Sequence, residues 1–267
     1  MIIGGKEIGY GSRPILSAEL GLSHQGDLET ALNMIREVAE VGGDGVKLQY
    51  FKPDEFIEDK TKTYTYKQIM QDGNKQVNLE IGNYEEKTVS YWQLFKDHEI
   101  SLDFVQSCKD EADRLGLCFG ITCFSLESIE EMLELDIDYF KLASQSIDDI
   151  DLLERLNEID KPIILSYGHV ENSHKVKYLV GKENVIHLHC VSEYPAKYPK
   201  LWKLNQLSGY FCYGYSDHTI GNDAIIRACE LGSIWNELHY TLDKCMSGPD
   251  HWYSKDKQEL TELVKAI

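Results

Sequence analysis

The chain has 267 residues, of which 42% are hydrophobic, so it permits one or two folded domains and excludes extended disorder. With 27 basic and 45 acidic residues its net charge is −18; a field of that sign repels nucleic acid and anionic membrane surfaces, and we expect neither as a partner. No apolar run approaches the ~20 residues that span a bilayer, and the first residues do not have the pattern of a signal peptide, which predicts a cytoplasmic protein. The seven cysteines show no CxxC pair, so we expect no disulfides.

Short apolar runs alternate with amphipathic segments along the chain. The first 12 residues contain Gly4-Gly5 between two apolar runs and predict a β-hairpin. Eight strands are then predicted at 15–19, 45–50, 117–123, 139–143, 162–166, 185–191, 211–216 and 233–239. Helices are predicted at 28–41, 102–115, 125–135, 149–159, 171–180, 222–231 and 255–266, and an irregular connection through Pro195, Pro199 and 201–207 follows the sixth strand.

This alternation predicts an α/β fold with parallel strands and right-handed crossovers. Eight units without a Gly-rich dinucleotide fingerprint favour a closed (β/α)8 TIM barrel over an open doubly wound sheet. Because no linker divides the chain, we expect one domain over residues 1–267. The polar segment 52–98 is predicted as a long insertion after the second strand, forming a lid or an interface.

Polar side chains recur at the C-terminal ends of the predicted strands, where barrels of this kind carry their active sites. They are Glu19, Lys47, Gln49, Thr122, Lys141, Ser144, Ser166, Ser192, Tyr194, Ser216, His218, Glu237 and His239. Lys47 and Lys141 lie in apolar strands, where a lysine needs a charged partner. Two lysines with several hydroxyls fit a small ligand carrying phosphate and carboxylate, although structural pairing with strand carboxylates would also explain them.

His218 and His239 each follow one of two neighbouring strands and converge if the strands are parallel. Neutral imidazole is the commonest metal ligand, so the pair predicts a divalent metal site, with two unrelated loop residues as the alternative. Together the lysines and histidines indicate a phosphorylated enol or keto acid that reacts beside a metal ion.

Seven segments, in order and over nearly the whole chain, resemble the sialic acid synthase (N-acetylneuraminate synthase) family. They are AELGLSHQGD at 18–27, GVKLQYFKPDEF at 45–56, FKLAS at 140–144, KPIILSYG at 161–168, HCVSEYP at 189–195, GYSDHTIG at 214–221 and LHYTLDKCMSGPDH at 238–251. That family condenses phosphoenolpyruvate with an aldose to give a 2-keto-3-deoxy sugar acid. The resemblance therefore implies an enzyme with these two small-molecule substrates.

The resemblance also implies roles for individual residues. The metal, Mn²⁺ or Mg²⁺, would be coordinated by His218 and His239. Phosphoenolpyruvate would be held by Lys47, Thr122, Lys141, Ser144, Ser166, Ser192 and Ser216. Catalytic roles on the sugar and metal side would fall to Glu19, Tyr194, Glu237 and Asp250, and the sugar would also meet Gln49, Ser146 and Tyr167.

The chain departs from the family pattern mainly on the sugar side. Where the family has Ser-Gly-Glu after the fourth strand, this chain has Ser144-Gln145-Ser146, which replaces an acid by a short hydroxyl. Ser-Thr-Gly-Met after the fifth strand is here Ser166-Tyr167-Gly168-His169, and Ser23 stands where asparagine is usual. We therefore expect the reaction to be kept with an acceptor other than ordinary N-acetylmannosamine.

The family normally continues into a small C-terminal antifreeze-like domain that reaches the partner's site in a dimer. This sequence ends at Ile267, so we expect the catalytic barrel without that domain, and a homodimer is one option for its assembly. Two alternatives remain open. One is an ordinary neuraminate, legionaminate or pseudaminate synthase, and the other is a non-catalytic barrel that binds a metal or an anion.

Overall fold

The predicted strands form a closed barrel in the computed structural model, which describes residues 1–69, 84–168, 183–197 and 212–267. In chain order the strands are β1 (Ile2–Ile3), β2 (Lys6–Glu7), β3 (Ile15–Glu19), β4 (Gly45–Tyr50), β5 (Thr63–Ile69), β6 (Tyr84–Ser90), β7 (Cys118–Cys123), β8 (Tyr139–Leu142), β9 (Ile163–Tyr167), β10 (Val185–Cys190), β11 (Cys212–Asp217) and β12 (Trp235–His239). The barrel order is β3-β4-β7-β8-β9-β10-β11-β12, every pairing is parallel, and β12 returns to β3. The predicted TIM barrel is confirmed.

Helices surround the barrel, and several of them begin after a residue whose side chain caps the first turn. They are α1 (Leu28–Glu40), α2 (Pro53–Phe56), α3 (Tyr91–Asp97), α4 (Leu102–Arg114), α5 (Leu126–Leu133), α6 (Ile150–Glu158), α7 (Asp223–Glu230) and α8 (Lys257–Ala266). The side chains of Asp27, Ser101 and Asp149 each accept a hydrogen bond from the first turn of the helix that follows. Helix α8 begins two residues later than predicted, because Asp256 is its N-cap and forms a capping box with Glu259. The predicted helix 171–180, Pro199 and 201–207 lie outside the described residues.

Alternate side chains of each barrel strand face opposite sides, which produces two apolar layers. Outward residues such as Val46, Leu48 and Leu165 pack with the surrounding helices in the main core. Inward residues at the N-terminal end of the barrel form a second cluster with Ile3 and Ile8 of the opening segment. The predicted N-terminal hairpin, β1 paired with β2, thus closes this end of the barrel and leaves polar groups to the other.

The described parts of the predicted insertion 52–98 cover the C-terminal end of the barrel. They comprise α2, the antiparallel hairpin β5–β6 and α3. Phe51, Phe95 and Leu22 form an apolar cluster with side chains of these elements, while Ile69 at the end of β5 packs against Trp252 and Tyr253. The insertion therefore lies between the loops that follow β3, β4 and β12.

The described helices do not include one that is long and apolar enough to cross a membrane.

Gly120 of β7 faces into the barrel, and a Cβ at this position would overlap the ring of Tyr139. That ring is held by a 2.9 Å hydrogen bond between its hydroxyl and Ser17 Oγ. We expect Gly120→Ala to lower the free energy of unfolding by about 3 kcal/mol through overpacking. Gly9→Ala, at a position with no atom within 4 Å, serves as control and should change it by less than about 0.5 kcal/mol. Urea unfolding measures both, and equal effects would contradict the packing described.

Candidate active site

A cavity opens at the C-terminal ends of the barrel strands. It is lined by all the predicted site residues except Ser146 and Tyr167, namely Glu19, Lys47, Gln49, Thr122, Lys141, Ser144, Ser166, Ser192, Tyr194, Ser216, His218, Glu237, His239 and Asp250. Those that belong to strands occupy the alternate positions whose side chains face the inside of the barrel. The alternation of side chains along each strand, which forms the apolar core, therefore also brings the polar groups together.

Two predicted sugar-side residues do not line this cavity. Tyr167 has the opposite parity to Ser166 on β9, so its ring packs against the outer core and its hydroxyl meets His187 Nδ1. Ser146 ends a one-turn 3-10 helix, Ser144–Ser146, of which Ser144 and Gln145 line the cavity. On this loop Gln145 therefore lines the cavity together with Ser144, although Gln145 was not predicted as a site residue.

A buried network of two lysines and two carboxylates forms the floor of the cavity. The Lys47 ammonium contacts Glu19 and donates a 2.8 Å hydrogen bond to Thr122 Oγ1. The Lys141 ammonium donates a 2.6 Å hydrogen bond to Glu237 Oε1, which also accepts one of 3.0 Å from Ser216. All four charged side chains are at least 94% inaccessible to solvent. Each lysine therefore has the charged partner that its apolar strand requires.

The charges in this network influence one another. Burial alone would raise the pKa of Glu237, but Lys141 and Lys47 lower it to about 2, so the carboxylate is ionised at neutral pH. Burial lowers the pKa of the Lys47 ammonium, and the Glu237 carboxylate opposes that shift. Both lysine side chains line the same cavity, where they would meet an anionic ligand.

Three hydroxyls converge beside this network. Ser144 Oγ and Ser192 Oγ share a 2.7 Å hydrogen bond, while Ser166 Oγ is buried and has no hydrogen-bond partner among the described residues. At Gly168 a Cβ would overlap Ser192 Oγ, so only glycine fits here. The unpartnered Ser166 hydroxyl and the Ser144–Ser192 pair, in the same cavity as the two lysines, form a suitable cradle for the oxygens of a phosphate or carboxylate.

His218 and His239 lie together at the wall of the cavity, with ring centroids 5.6 Å apart. His218 Nδ1 donates a 2.6 Å hydrogen bond to Val191 O, which leaves the Nε2 lone pair available. Burial lowers the pKa of His218 to about 4 and also lowers that of His239. Both imidazoles are therefore neutral at pH 7, the form that binds a metal ion.

These residues suit a divalent cation that takes two imidazoles and completes its shell with oxygens from water or substrate. The described residues contain no group of three or more His, Cys, Asp or Glu that could hold a metal by themselves. The fit therefore depends on the histidine pair and on exogenous oxygen ligands.

Sequence reasoning missed a tyrosine that fixes the acid beside this pair. Tyr253 OH donates a 2.9 Å hydrogen bond to Asp250 Oδ1 and lies 3.4 Å from His239 Nδ1. The backbone N–H of Leu22 donates to Asp250 Oδ2 over 3.2 Å. Tyr253 follows a loop whose path no periodicity predicts, so only the fold brings it to His239.

A second missed element holds the loop that carries His218. Asp217 accepts hydrogen bonds from Thr219 and Tyr215, and Lys255 Nζ lies 2.8 Å from its Oδ2. Lys255 also donates to Thr219 O over 2.6 Å, and both charged side chains are at most 2% exposed. The ion pair ties the start of α8 to the end of β11.

The fold and this cavity define a (β/α)8 barrel with buried lysines, hydroxyls and paired histidines at its strand ends. A NeuB family profile matches residues 34–267. The chain belongs to the NeuB family.

Individual relatives agree with this assignment. The chain is 34% identical over 266 residues to the N,N'-diacetyllegionaminic acid synthase of Campylobacter jejuni, covering 96% of this chain and 75% of that protein. It is 28% identical over 279 residues to the mouse N-acetylneuraminate-9-phosphate synthase, covering 98% and 72%. The crystal structure of the Leptospira borgpetersenii N-acetylneuraminic acid synthetase in complex with citrate has a TM-score of 0.84 and 28% identity, covering 100% of this chain and 86% of that one.

Lys255→Met should leave the Asp217 carboxylate buried without a cation. We expect the free energy of unfolding to fall by about 3–5 kcal/mol, because an uncompensated buried charge is costly. Adding Asp217→Asn should recover much of the loss. Lys257→Met, two residues on and 42% exposed, is the matched control and should change stability by under about 1 kcal/mol. If both lysine variants unfold at the same urea concentration, the ion pair does not hold this loop.

Stability should fall as the pH is lowered from 7 to 5. Burial lowers the pKa of His24, His187, His218 and His251 to about 4, against about 6.5 in an unfolded chain. Between these values the unfolded state binds more protons, so the stability present above pH 6.5 is lost on acidification. Each histidine contributes up to about 1.4 kcal/mol per pH unit. Urea titrations at pH 7, 6 and 5 measure the slope, and a constant stability would refute the buried neutral state.

Proposed function

We propose that this chain condenses phosphoenolpyruvate with an aldose to give a 2-keto-3-deoxy sugar acid and phosphate, as a transferase that forms a carbon–carbon bond. Members of the NeuB family are phosphoenolpyruvate-dependent nonulosonate synthases, generally dependent on a divalent metal. The observation that carries the proposal is the cavity itself, in which two buried lysines and a hydroxyl cluster lie beside paired neutral histidines.

Phosphoenolpyruvate would occupy the lysine and hydroxyl side of the cavity. Lys47 and Lys141 would offset its charge, and Ser144, Ser166 and Ser192 would donate to its oxygens. Thr122 and Ser216 would keep the lysine network aligned, as their hydrogen bonds to Lys47 and Glu237 support. This arrangement would hold the enol carbon rigidly, because every group comes from a barrel strand or the residues just after it.

Mn²⁺ or Mg²⁺ would be held by His218 and His239 and, when bound, would polarise the carbonyl of the acceptor. Tyr194, whose ring centroid lies 4.1 Å from that of His218, would cover the pair. Asp250, fixed by Tyr253, would hold the acceptor hydroxyl next to the reacting carbon.

The bond changes balance without any further reactant. The enol carbon of phosphoenolpyruvate attacks the aldehyde carbon, water adds to C2, and the C2–O bond to phosphate breaks as the C2 keto group forms. Of the two protons of the water, one ends on the former aldehyde oxygen and the other leaves with phosphate. Glu237, ionised at neutral pH, would accept a hydrogen bond from that water and orient it, and Glu19 and Gln49 would orient the acceptor from the β3 and β4 side.

We further propose that the acceptor is not ordinary N-acetylmannosamine, that His218 and His239 are the metal ligands, and that the reaction runs in the cytoplasm. The first point is supported by the loop after β8, where the family has a glutamate at the position of Ser146. In this chain the uncharged Gln145 lines the cavity instead. An ordinary nonulosonate synthase is the second candidate, favoured by the 34% identity to the legionaminic acid enzyme.

Phosphate release from phosphoenolpyruvate, measured against a panel of aldoses with Mn²⁺ or Mg²⁺, tests the function. We expect turnover that chelator abolishes, and His218→Ala should lower kcat/KM by about 10³-fold, equivalent to several kcal/mol of lost transition-state stabilisation. His187→Gln, a buried histidine outside the cavity, is the control. Absence of release with every aldose would refute the function, full turnover by His218→Ala would refute the metal assignment, and a clear preference for N-acetylmannosamine would refute the acceptor proposal.

A further inference from the structure

The two histidines of the cavity are held in different ways. His218 donates its Nδ1 hydrogen to the main-chain carbonyl of Val191 over 2.6 Å. For His239 the described residues supply no main-chain acceptor, and the hydrogen-bond partner of its Nδ1 is the hydroxyl of Tyr253 at 3.4 Å. Asp250 Oδ2 lies farther away, 3.8 Å from the same nitrogen. The orientation and the tautomer of His239 therefore depend on side chains.

The hydrogens at this contact follow from the donors and acceptors present. The Tyr253 phenol has one hydrogen and donates it to Asp250 Oδ1 over 2.9 Å, because a carboxylate only accepts. Burial and the negative charge of Asp250 raise the pKa of the phenol well above its usual range, so the phenol keeps that hydrogen. The phenol oxygen can then meet His239 only as an acceptor, which places the single hydrogen of a neutral imidazole on Nδ1. Nε2 is left with the lone pair that a metal ion binds.

Tyr253 acts on the cavity through its neighbours. It is 1% exposed and is not among the residues that line the cavity, whereas His239 and Asp250 both line it. Its ring centroid lies 5.2 Å from that of His239, with the two rings edge to face. A ligand in the cavity would therefore meet Tyr253 only through these two side chains.

The segment that carries Tyr253 is fixed to the end of β12. The Lys255 N–H donates to His239 O over 2.8 Å. Ser254 Oγ donates to Asp250 O over 2.5 Å. Both hydrogen bonds hold this segment against the strand that carries His239, so the Tyr253 hydroxyl stays beside the imidazole.

The β5–β6 hairpin packs behind the tyrosine ring. Ile69, at the end of β5, forms an apolar cluster with Trp252 and Tyr253. The neighbouring Gln68 accepts a 3.1 Å hydrogen bond from Ser247 Oγ, on the same loop as Tyr253. The hairpin therefore restricts the ring of Tyr253 to its position beside the histidine.

We propose that Tyr253 is a positioning residue of the histidine pair, whose hydroxyl accepts from His239 Nδ1 and donates to Asp250. This inference rests on the metal assignment in the proposed function, and it adds the group that determines which nitrogen of His239 is free. The hydroxyl keeps the Nε2 lone pair available for a divalent cation and holds the carboxylate next to it. It does for His239 what the Val191 carbonyl does for His218.

The tautomer can be measured without metal or substrate. Long-range ¹H–¹⁵N NMR spectra of protein labelled with ¹⁵N-histidine distinguish the Nδ1–H form from the Nε2–H form, and His239→Gln assigns the signals of His239. We expect the Nδ1–H form in the unmodified protein at neutral pH. Tyr253→Phe keeps the ring but removes the hydroxyl, and should give a mixture of both forms. Asp250→Ala should shift His239 toward the Nε2–H form although Tyr253 remains, because the phenol is then free to donate its hydrogen to Nδ1.

Titrations with Mn²⁺ alone measure the consequence for binding, with electron paramagnetic resonance of the free ion as the readout. We expect Tyr253→Phe to weaken Mn²⁺ binding by about 10- to 100-fold, as is typical when a metal-binding histidine loses its hydrogen-bond partner. Tyr240→Phe is the matched control. Tyr240 is also fully buried, and its hydroxyl donates to a carboxylate, Glu37, over 2.7 Å, but it packs in the outer core. This variant should leave the Mn²⁺ affinity unchanged.

The Nε2–H form in the unmodified protein would overturn the inference, and so would a Tyr253→Phe variant that keeps both the Nδ1–H form and the Mn²⁺ affinity. Equal losses of affinity in Tyr253→Phe and Tyr240→Phe would also overturn it. Circular dichroism checks that each variant is folded, and the spectra of the unmodified protein and of Asp250→Ala decide the tautomer without Tyr253→Phe. A protein that binds no Mn²⁺, or whose affinity survives His218→Ala, would instead refute the metal assignment of the proposed function, and the tautomers would still decide the role of Tyr253.

Discussion

The charge balance at the centre of the barrel constrains the rest of the structure. A lysine inside an apolar strand stays charged only if a carboxylate reaches it, and here Glu19 and Glu237 reach Lys47 and Lys141. The partners lie on different strands, and the register of β3 with β4 places Glu19 directly opposite Lys47. A slip of one residue would turn Lys47 into the outer core, so closure of the barrel and the site depend on the same pairing.

The two halves of the cavity are supported differently. On the side of the lysines and hydroxyls the polar groups belong to barrel strands or to the residues just after them, and their positions follow from strand register. On the side of the histidines, the loops that carry His218 and Asp250 have supports of their own. Asp217 with Lys255 holds the loop of His218, and Tyr253 holds Asp250 beside His239. Under the proposed function, such a division would allow the loops to change the acceptor while the strand residues keep the phosphoenolpyruvate site.

Strand parity explains both the successes and the failures of sequence reasoning at the site. Lys47, Thr122 and Glu237 were predicted because each stands near the end of an apolar strand, and all line the cavity because their positions face inward. Tyr167 was assigned to the sugar side from its place in a motif, yet it follows the inward Ser166 by one residue and faces the helices. The alternation of side chains along β9 would have predicted that Tyr167 faces outward.

The sequence by itself determined the eight-unit barrel, the hairpin that precedes it and the inward polar residues, because local periodicity and capping encode all of them. Only the tertiary structure decided which lysine pairs with which carboxylate, since those contacts join strands that are distant in the chain. It also decided that Tyr253 supports Asp250 and that the segment 52–98 contributes Tyr64 and Tyr91 to the cavity. Loop paths and long-range packing leave no periodic signal in a single sequence, so these contacts become visible only once the barrel is closed.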